Sequence, residues 1–196
     1  YAAMFLIPLT GIALVLLAFA MFAMMDATSK YLMGWYHFTQ IMAVRFWIFF
    51  AFALFMTRGK DLRARFASGF VLAQILRAEI LGIEMSLIVY SIGRLPLADV
   101  HAVFTAAPLF VLLLAGIFLG ESIGVRGWVS VLAGFTGAMM IIRPGFAAHD
   151  EFVLLLLPLL AAALWAVYQV LSRMVGRRDP AETTLLYTTL VCMLGF

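Results

Sequence analysis

The chain has 196 residues, of which 66% are hydrophobic and only 12% charged, and its formal net charge is +3. That balance lies far outside the soluble globular range and puts most of the chain in lipid. The single cysteine, Cys192, excludes an intramolecular disulfide and a thiolate cluster, and His37, His101 and His149 fit no metal spacing, so no cofactor is implied.

A bilayer core about 30 Å thick asks for roughly 20 apolar residues per helix. Windows of that size give spans at Ile7–Met25, Phe38–Thr57, Ile75–Ile92, Leu95–Leu119, Val125–Ile142 and Phe152–Val175. A seventh stretch starts near Thr183 and stops at Phe196, too short to cross, and the chain opens on Tyr1 without an initiator Met. Both ends lead us to expect a longer protein. The first span is a retained helix and no signal peptide, because nothing before Asp26 is charged and Met24-Met25-Asp26 follows its apolar run. The fold class is therefore all-α, a polytopic membrane bundle.

Basic residues set the orientation. Arg58, Lys60, Arg63 and Arg65 follow span two, Arg126 follows span four, and Arg173, Arg177 and Arg178 follow span six. The opposite loops hold Lys30, Arg94 and Arg143. Eight against three places the N-terminus in the cytoplasm. The net charge is then an orientation signal, and no nucleic-acid partner is expected. The bilayer itself is the first partner.

The chain also repeats itself. Sliding it by 143 positions lays Leu14–Lys30 on Leu157–Arg173, with seven identities in 17 positions, Ser29 on Ser172 among them. The second copy lies five spans on from the first, an odd number, so it enters the membrane from the opposite side. Inverted repeats are an architecture of secondary transporters. The expected division is a first five-helix repeat over 1–145 and the start of a second over 146–196.

Small residues recur at Gly116, Gly120 and Gly124 and at Ala133, Gly134, Gly137 and Ala138. Such faces let helices approach closely in lipid. They predict packing within one protomer, with a homodimer face as the other reading.

Charges inside a membrane need a partner or a wet cavity, since each costs about 2.5–3.5 kcal/mol at mid-bilayer. Arg45 and Glu84 sit near the middle of consecutive antiparallel spans, and equal depth allows an ion pair. They are read either as a helix-locking salt bridge or as charges in a central cavity that takes a charged substrate or a proton. Asp26 and Lys30, one turn apart, suit an ordinary i,i+4 pair at the interface, with a gate or substrate contact as the other reading of Lys30. Arg77 and Glu79 are expected to snorkel as interface anchors. Asp99 and His101 make either a hydrogen-bonded outer vestibule or a proton relay. Glu121 and Arg126 are expected to tie a turn. Pro108 interrupts span four, frees a carbonyl and kinks the helix, with Thr105 one turn away. Trp165, Tyr168 and Gln169 share a face that the repeat pairs with Phe22, Met25 and Asp26, so the six residues line a cavity if it lies at the repeat interface.

The run Leu95–Phe110 resembles the fourth helix of the drug/metabolite transporter superfamily, EamA type, and Leu119–Trp128 resembles the turn that follows it. Gly134–Gly137 and Ile141–Gly145 are similar to the fifth helix and its exit, while Lys30 and Arg45 match basic positions of helices one and two. The resemblance implies ten helices as two inverted repeats and movement of small metabolites across the inner membrane. It makes Arg45 the candidate substrate charge and leaves Glu84, then His101, as candidate coupling groups. No nucleotide-binding loop is present, so the driving force is a gradient. An intramembrane enzyme or a structural or channel-forming subunit are the rival classes. Dispersed ionisable residues disfavour the first, and an inverted repeat is unnecessary for the second.

Overall fold

The computed structural model describes residues 2–58, 66–119, 124–142 and 149–196. Eight helices account for nearly all of them: α1 Ala2–Leu32, α2 Phe38–Met56, α3 Val71–Arg94, α4 Leu97–Phe104, α5 Ala107–Leu119, α6 Val125–Ile142, α7 His149–Gly176 and α8 Ala181–Gly195. Four stretches are long and apolar enough to cross a membrane, Gly11–Leu32, Phe38–Met56, Leu97–Phe118 and Val153–Gly176. At about 1.5 Å per residue, the 24 residues of α3 reach about 36 Å. Its interior Arg77, Glu79 and Glu84 are what set it apart from those four. The protein is an all-α membrane bundle.

Local chemistry sets the helix ends. Leu95 is extended (φ −113°, ψ 159°) because Pro96 follows it, and α3 stops there. At the start of α2 the His37 backbone N–H donates to Gln40 Oε1 at 3.2 Å, half of a capping box. Pro180 likewise stands just ahead of α8.

Among the described residues, span four is the one long segment that breaks. The Thr105 N–H donates to the carbonyls of His101 and Ala102 (3.1 and 3.3 Å), and its Oγ1 donates to Ala102 O at 2.5 Å. Pro108 has no N–H to give the Phe104 carbonyl, so the α-helical ladder lapses between α4 and α5. The kink expected at Pro108 therefore falls at Thr105–Ala106.

Helix α3 is the hub, packing against α1, α2, α4, α7 and α8. Directions follow from the contacts. Lys30 at the end of α1 reaches Ile92 and Leu95 at the end of α3, so α1 runs parallel to α3. Arg77 meets Tyr168 and Ser172, whereas Ile92 and Leu95 meet Leu154 and Leu155, so α7 runs antiparallel. Helices α1 and α7 thus point in opposite directions past α3. In the repeat register Phe38 falls on Ala181, the first residues of α2 and α8. These two are opposed as well: Phe38 packs on Tyr90, while Thr188 meets Arg77 and Phe196 approaches Gly82.

A Cβ added at Gly124, Gly134 or Gly137 would meet nothing within 4 Å, so these three glycines make no close approach among the described residues. The close approach occurs instead at Gly93, whose absent side chain leaves room for Met33 at the α1 exit. Gly120, Glu121, Arg143–Gly145 and the loop bases Lys60, Arg63 and Arg65 lie outside the described residues.

Candidate functional site

A cavity of about 420 Å³ lies among α1, α2, α3, α4 and α7. Its size falls within the ordinary range for small-molecule sites, roughly 300–1,000 Å³. Rings of Phe19, Phe22, Phe104 and Trp165 and the apolar chains of Ala23, Met25, Met85 and Ile88 form most of the wall. Asp26, Arg45, Glu84 and His101 complete it. Two acids and two bases, from four helices, therefore converge on one apolar space.

Each has its own reason for being there. Asp26 and Ser29 lie on the buried side of α1. Ser29 Oγ donates to Met25 O (2.8 Å) and accepts from Arg45 Nη2 at 2.6 Å, which fixes the guanidinium at the cavity edge. His101 is carried by the short helix α4, one turn before the break, and its Nε2 lies 3.3 Å from Asp26 Oδ2. Glu84 lies on the buried face of α3, only 4% exposed. Among the described residues it makes no hydrogen bond or ion pair. Trp165 stacks on Tyr168 (5.2 Å between centroids, 29°) and tilts against Phe104 at 6.3 Å.

Several expected pairings are corrected by this geometry. Arg45 and Glu84 share the cavity but form no ion pair, since α8 packs against both α2 and α3 and Arg45 turns to Ser29 on α1. Asp26 pairs with His101 and not with Lys30. Lys30 Nζ donates to the carbonyls of Ile92 (2.9 Å) and Leu95 (2.8 Å), where the C-terminal end of α3 leaves acceptors without helical partners. His101 takes its carboxylate from Asp26 on another helix and not from Asp99 nearby in sequence. Tyr168 and Gln169 do not reach the cavity, because Tyr168 lies behind Trp165 and faces Arg77. Pro108 is outside the wall too, and acts only through the break that ends α4.

Arg77 is the largest departure. The side chain expected to snorkel is 1% exposed. Its Nη2 donates to Gln74 Oε1 (3.2 Å), Thr184 O (3.0 Å) and Thr188 Oγ1 (2.5 Å), and its Nη1 to Tyr168 Oη (3.3 Å) and Ser172 Oγ (3.4 Å). The guanidinium also lies 5.3 Å from the Tyr168 ring centroid. One signal for this burial was available in the sequence: Arg77 and Glu84 are seven residues apart and so share a helix face. Phe19, Met85, Ile88 and Phe104 are further wall residues that apolar pattern alone did not distinguish.

A second cavity, of about 330 Å³, lies among α2, α3 and α8, with Phe38, Tyr90, Cys192 and Phe196 on its wall and Glu79 as its carboxylate. It lacks any convergence of opposite charges.

Residues 9–143 match the EamA-like transporter family. A riboflavin transporter of Brucella anthropi is 34% identical over 113 residues, covering 58% of this chain and 39% of that protein. A riboflavin transporter of Vibrio cholerae is 36% identical over 90 residues, 46% of this chain and 30% of that one. An S-adenosylmethionine uptake transporter of Rickettsia felis is 28% identical over 187 residues, 93% of this chain and 61% of that one. The chain thus spans about a third to three fifths of the length of these curated relatives. No solved structure matches it significantly. With a family match over most of its length, taking in four of the five helices around the cavity, the chain belongs to the EamA-like transporter family.

Proposed function

We propose that the chain is the larger part of a secondary transporter that carries small, polar or amphipathic organic metabolites across the bacterial cytoplasmic membrane. The observation that carries this is the 420 Å³ cavity, in which Asp26, Arg45, Glu84 and His101 meet among aromatic rings between helices of opposite direction. Charge of both signs in an apolar space is costly unless it serves a ligand or a moving ion. Alternating access is the matching mechanism. Helices α1–α6 belong to a first repeat, α7 and α8 open a second, inverted one, and rocking of the two around the cavity exposes it to either side. The opposed directions of α1 with α7 and of α2 with α8, and the common register of the α2 and α8 starts, support that division.

Arg45, held at the wall by Ser29, contacts substrate. Glu84 and the Asp26–His101 pair are the groups able to exchange a proton in a coupled cycle. The basic loop residues keep the N-terminus in the cytoplasm. Transport explains the site better than catalysis, since no group in the cavity is placed as an activated nucleophile beside a base.

Counterflow in proteoliposomes is the test, with labelled riboflavin, S-adenosylmethionine and a broader metabolite panel. Saturable exchange is expected for at least one compound. Arg45→Ala and Glu84→Gln should each lower that exchange at least about tenfold while the protein still purifies as a folded species. If no compound exchanges, the transporter reading fails; if exchange survives both substitutions, the cavity is not its route.

A further inference from the structure

Glu84 presents an unusual combination. It is 4% exposed, borders the aromatic cavity, and has no donor from any described residue. A buried carboxyl left without a partner costs free energy that the fold normally removes by supplying one. Here every nearby cation among the described residues is engaged elsewhere. Arg45 donates to Ser29, His101 faces Asp26, Lys30 sits on the α3 carbonyls, and Arg77, two turns along α3, is bound by α7 and α8. Asp26, the other carboxylate on the wall, already faces His101, so Glu84 is the acid left for an entering group. The faces of Phe22, Phe104 and Trp165 add ring quadrupoles, which attract cations and cover flat apolar bodies.

We propose that the cavity selects organic cations with a flat apolar body, and that Glu84 is the recognition carboxylate, accepting N–H donors from the cationic end while the rings cover the remainder. This rests on the cavity being the substrate site and adds the chemical class of that substrate. Arg45, fixed on Ser29, borders the same cavity, and its positive charge favours an orientation with the cationic end toward Glu84.

An isosteric series tests the charge preference directly: naphthalene-2-carboxamidinium, naphthalene-2-carboxamide and naphthalene-2-carboxylate, titrated calorimetrically into the purified protein in detergent. The amidinium is expected to bind at least tenfold more tightly than the amide, with the carboxylate weakest. Glu84→Gln should bring the amidinium down to the level of the amide, Glu84→Asp should restore part of the preference, and Trp165→Ala should weaken all three alike. Equal binding of amidinium and amide to the wild-type protein overturns the proposal, and so does tightest binding of the carboxylate, absence of binding by all three at millimolar concentration, or a preference that persists in Glu84→Gln. The wild-type comparison needs no variant to fold. Because binding requires no flux, a protein that prefers the amidinium but shows no counterflow keeps this inference and loses the transporter reading. Counterflow without cation preference does the reverse.

Discussion

Lys30 ends α1 with its ammonium on two carbonyls, Ile92 O and Leu95 O, where α3 gives way to Pro96. A cation at a helix C-terminus satisfies orphan acceptors and complements the helix dipole, for about 0.3–1 kcal/mol where it is partly exposed. Lys30→Met should therefore lower the melting temperature in detergent by a few degrees, and Lys30→Arg should recover part of the loss. A result indistinguishable from wild type would show that the contact is not held. Asp179, in the turn between α7 and α8, is the counterpart at the other end of α3. Ser68 Oγ donates to its Oδ2, as does Gln74 Nε2 at 2.9 Å. The Ser68 hydrogen bond is the main reason its carboxyl is held below the usual carboxylate range, with Gln74 and the Gly69 backbone adding to it and burial opposing. A depressed folded-state pKa means stabilisation that is complete above the ordinary carboxylate range near 4 and fades as pH falls below it. Thermal scans from pH 7 down to pH 3 should show this acid limb in the wild type and a shallower one in Asp179→Asn.

At the scale of elements, α3 carries the argument. Its buried face places Gln74, Arg77, Glu84 and Ser91 along one side, a polar stripe through an otherwise apolar helix. In lipid no hydrophobic drive brings helices together, so association depends on packing and on interhelical hydrogen bonds of this kind. Arg77 alone ties α3 to α7 through Tyr168 and Ser172 and to α8 through Thr184 and Thr188. Arg77→Met leaves those acceptors buried without a donor, at a cost of about 2–4 kcal/mol. Arg77→Lys should also destabilise, because an ammonium cannot span two helices as the planar fork does. Thermal unfolding of the two variants beside wild type checks both statements; an unchanged melting temperature for Arg77→Met would mean the network contributes nothing. The broken span four is the other element with a consequence. By stopping α4 at Phe104, it brings His101 to Asp26 and the Phe104 ring to Trp165, so a backbone defect shapes one wall of the cavity.

The whole molecule gathers five helices around that cavity, and its orientation is open to a direct check. Single cysteines at Trp35 and Arg177 in a Cys192→Ser background should label with a membrane-impermeant thiol reagent from opposite sides, the first from the periplasm and the second from the cytoplasm. Labelling of both from one side would overturn the topology. Much of this frame is legible in the residues. Apolar windows locate the helices because a bilayer core admits only segments whose backbone groups are satisfied internally. The Leu14–Lys30 match anticipates the opposed courses of α1 and α7, and Asp26, Arg45, Glu84, His101 and Trp165 do meet at one cavity. Pairing was not legible, because it depends on which helix faces which. Arg45 and Glu84 are consecutive in topology yet separate in contact, while Asp26 and His101, 75 positions apart, face each other. Arg77 shows the same limit, since its burial needs α8, whose sequence alone gives no reason to fold back onto α3.

By itself, then, the sequence determined the solvent, the place of most helices, a break close to Pro108 and the set of charges that must be accommodated in lipid. These follow from transfer free energies and backbone sterics, which act along the chain. Only the tertiary structure decided which charges are neutralised, since the partner of a buried ion is whatever side chain the packing brings within about 3 Å of it. That decision left Glu84, alone among the four charges of the cavity, without a partner among the described residues.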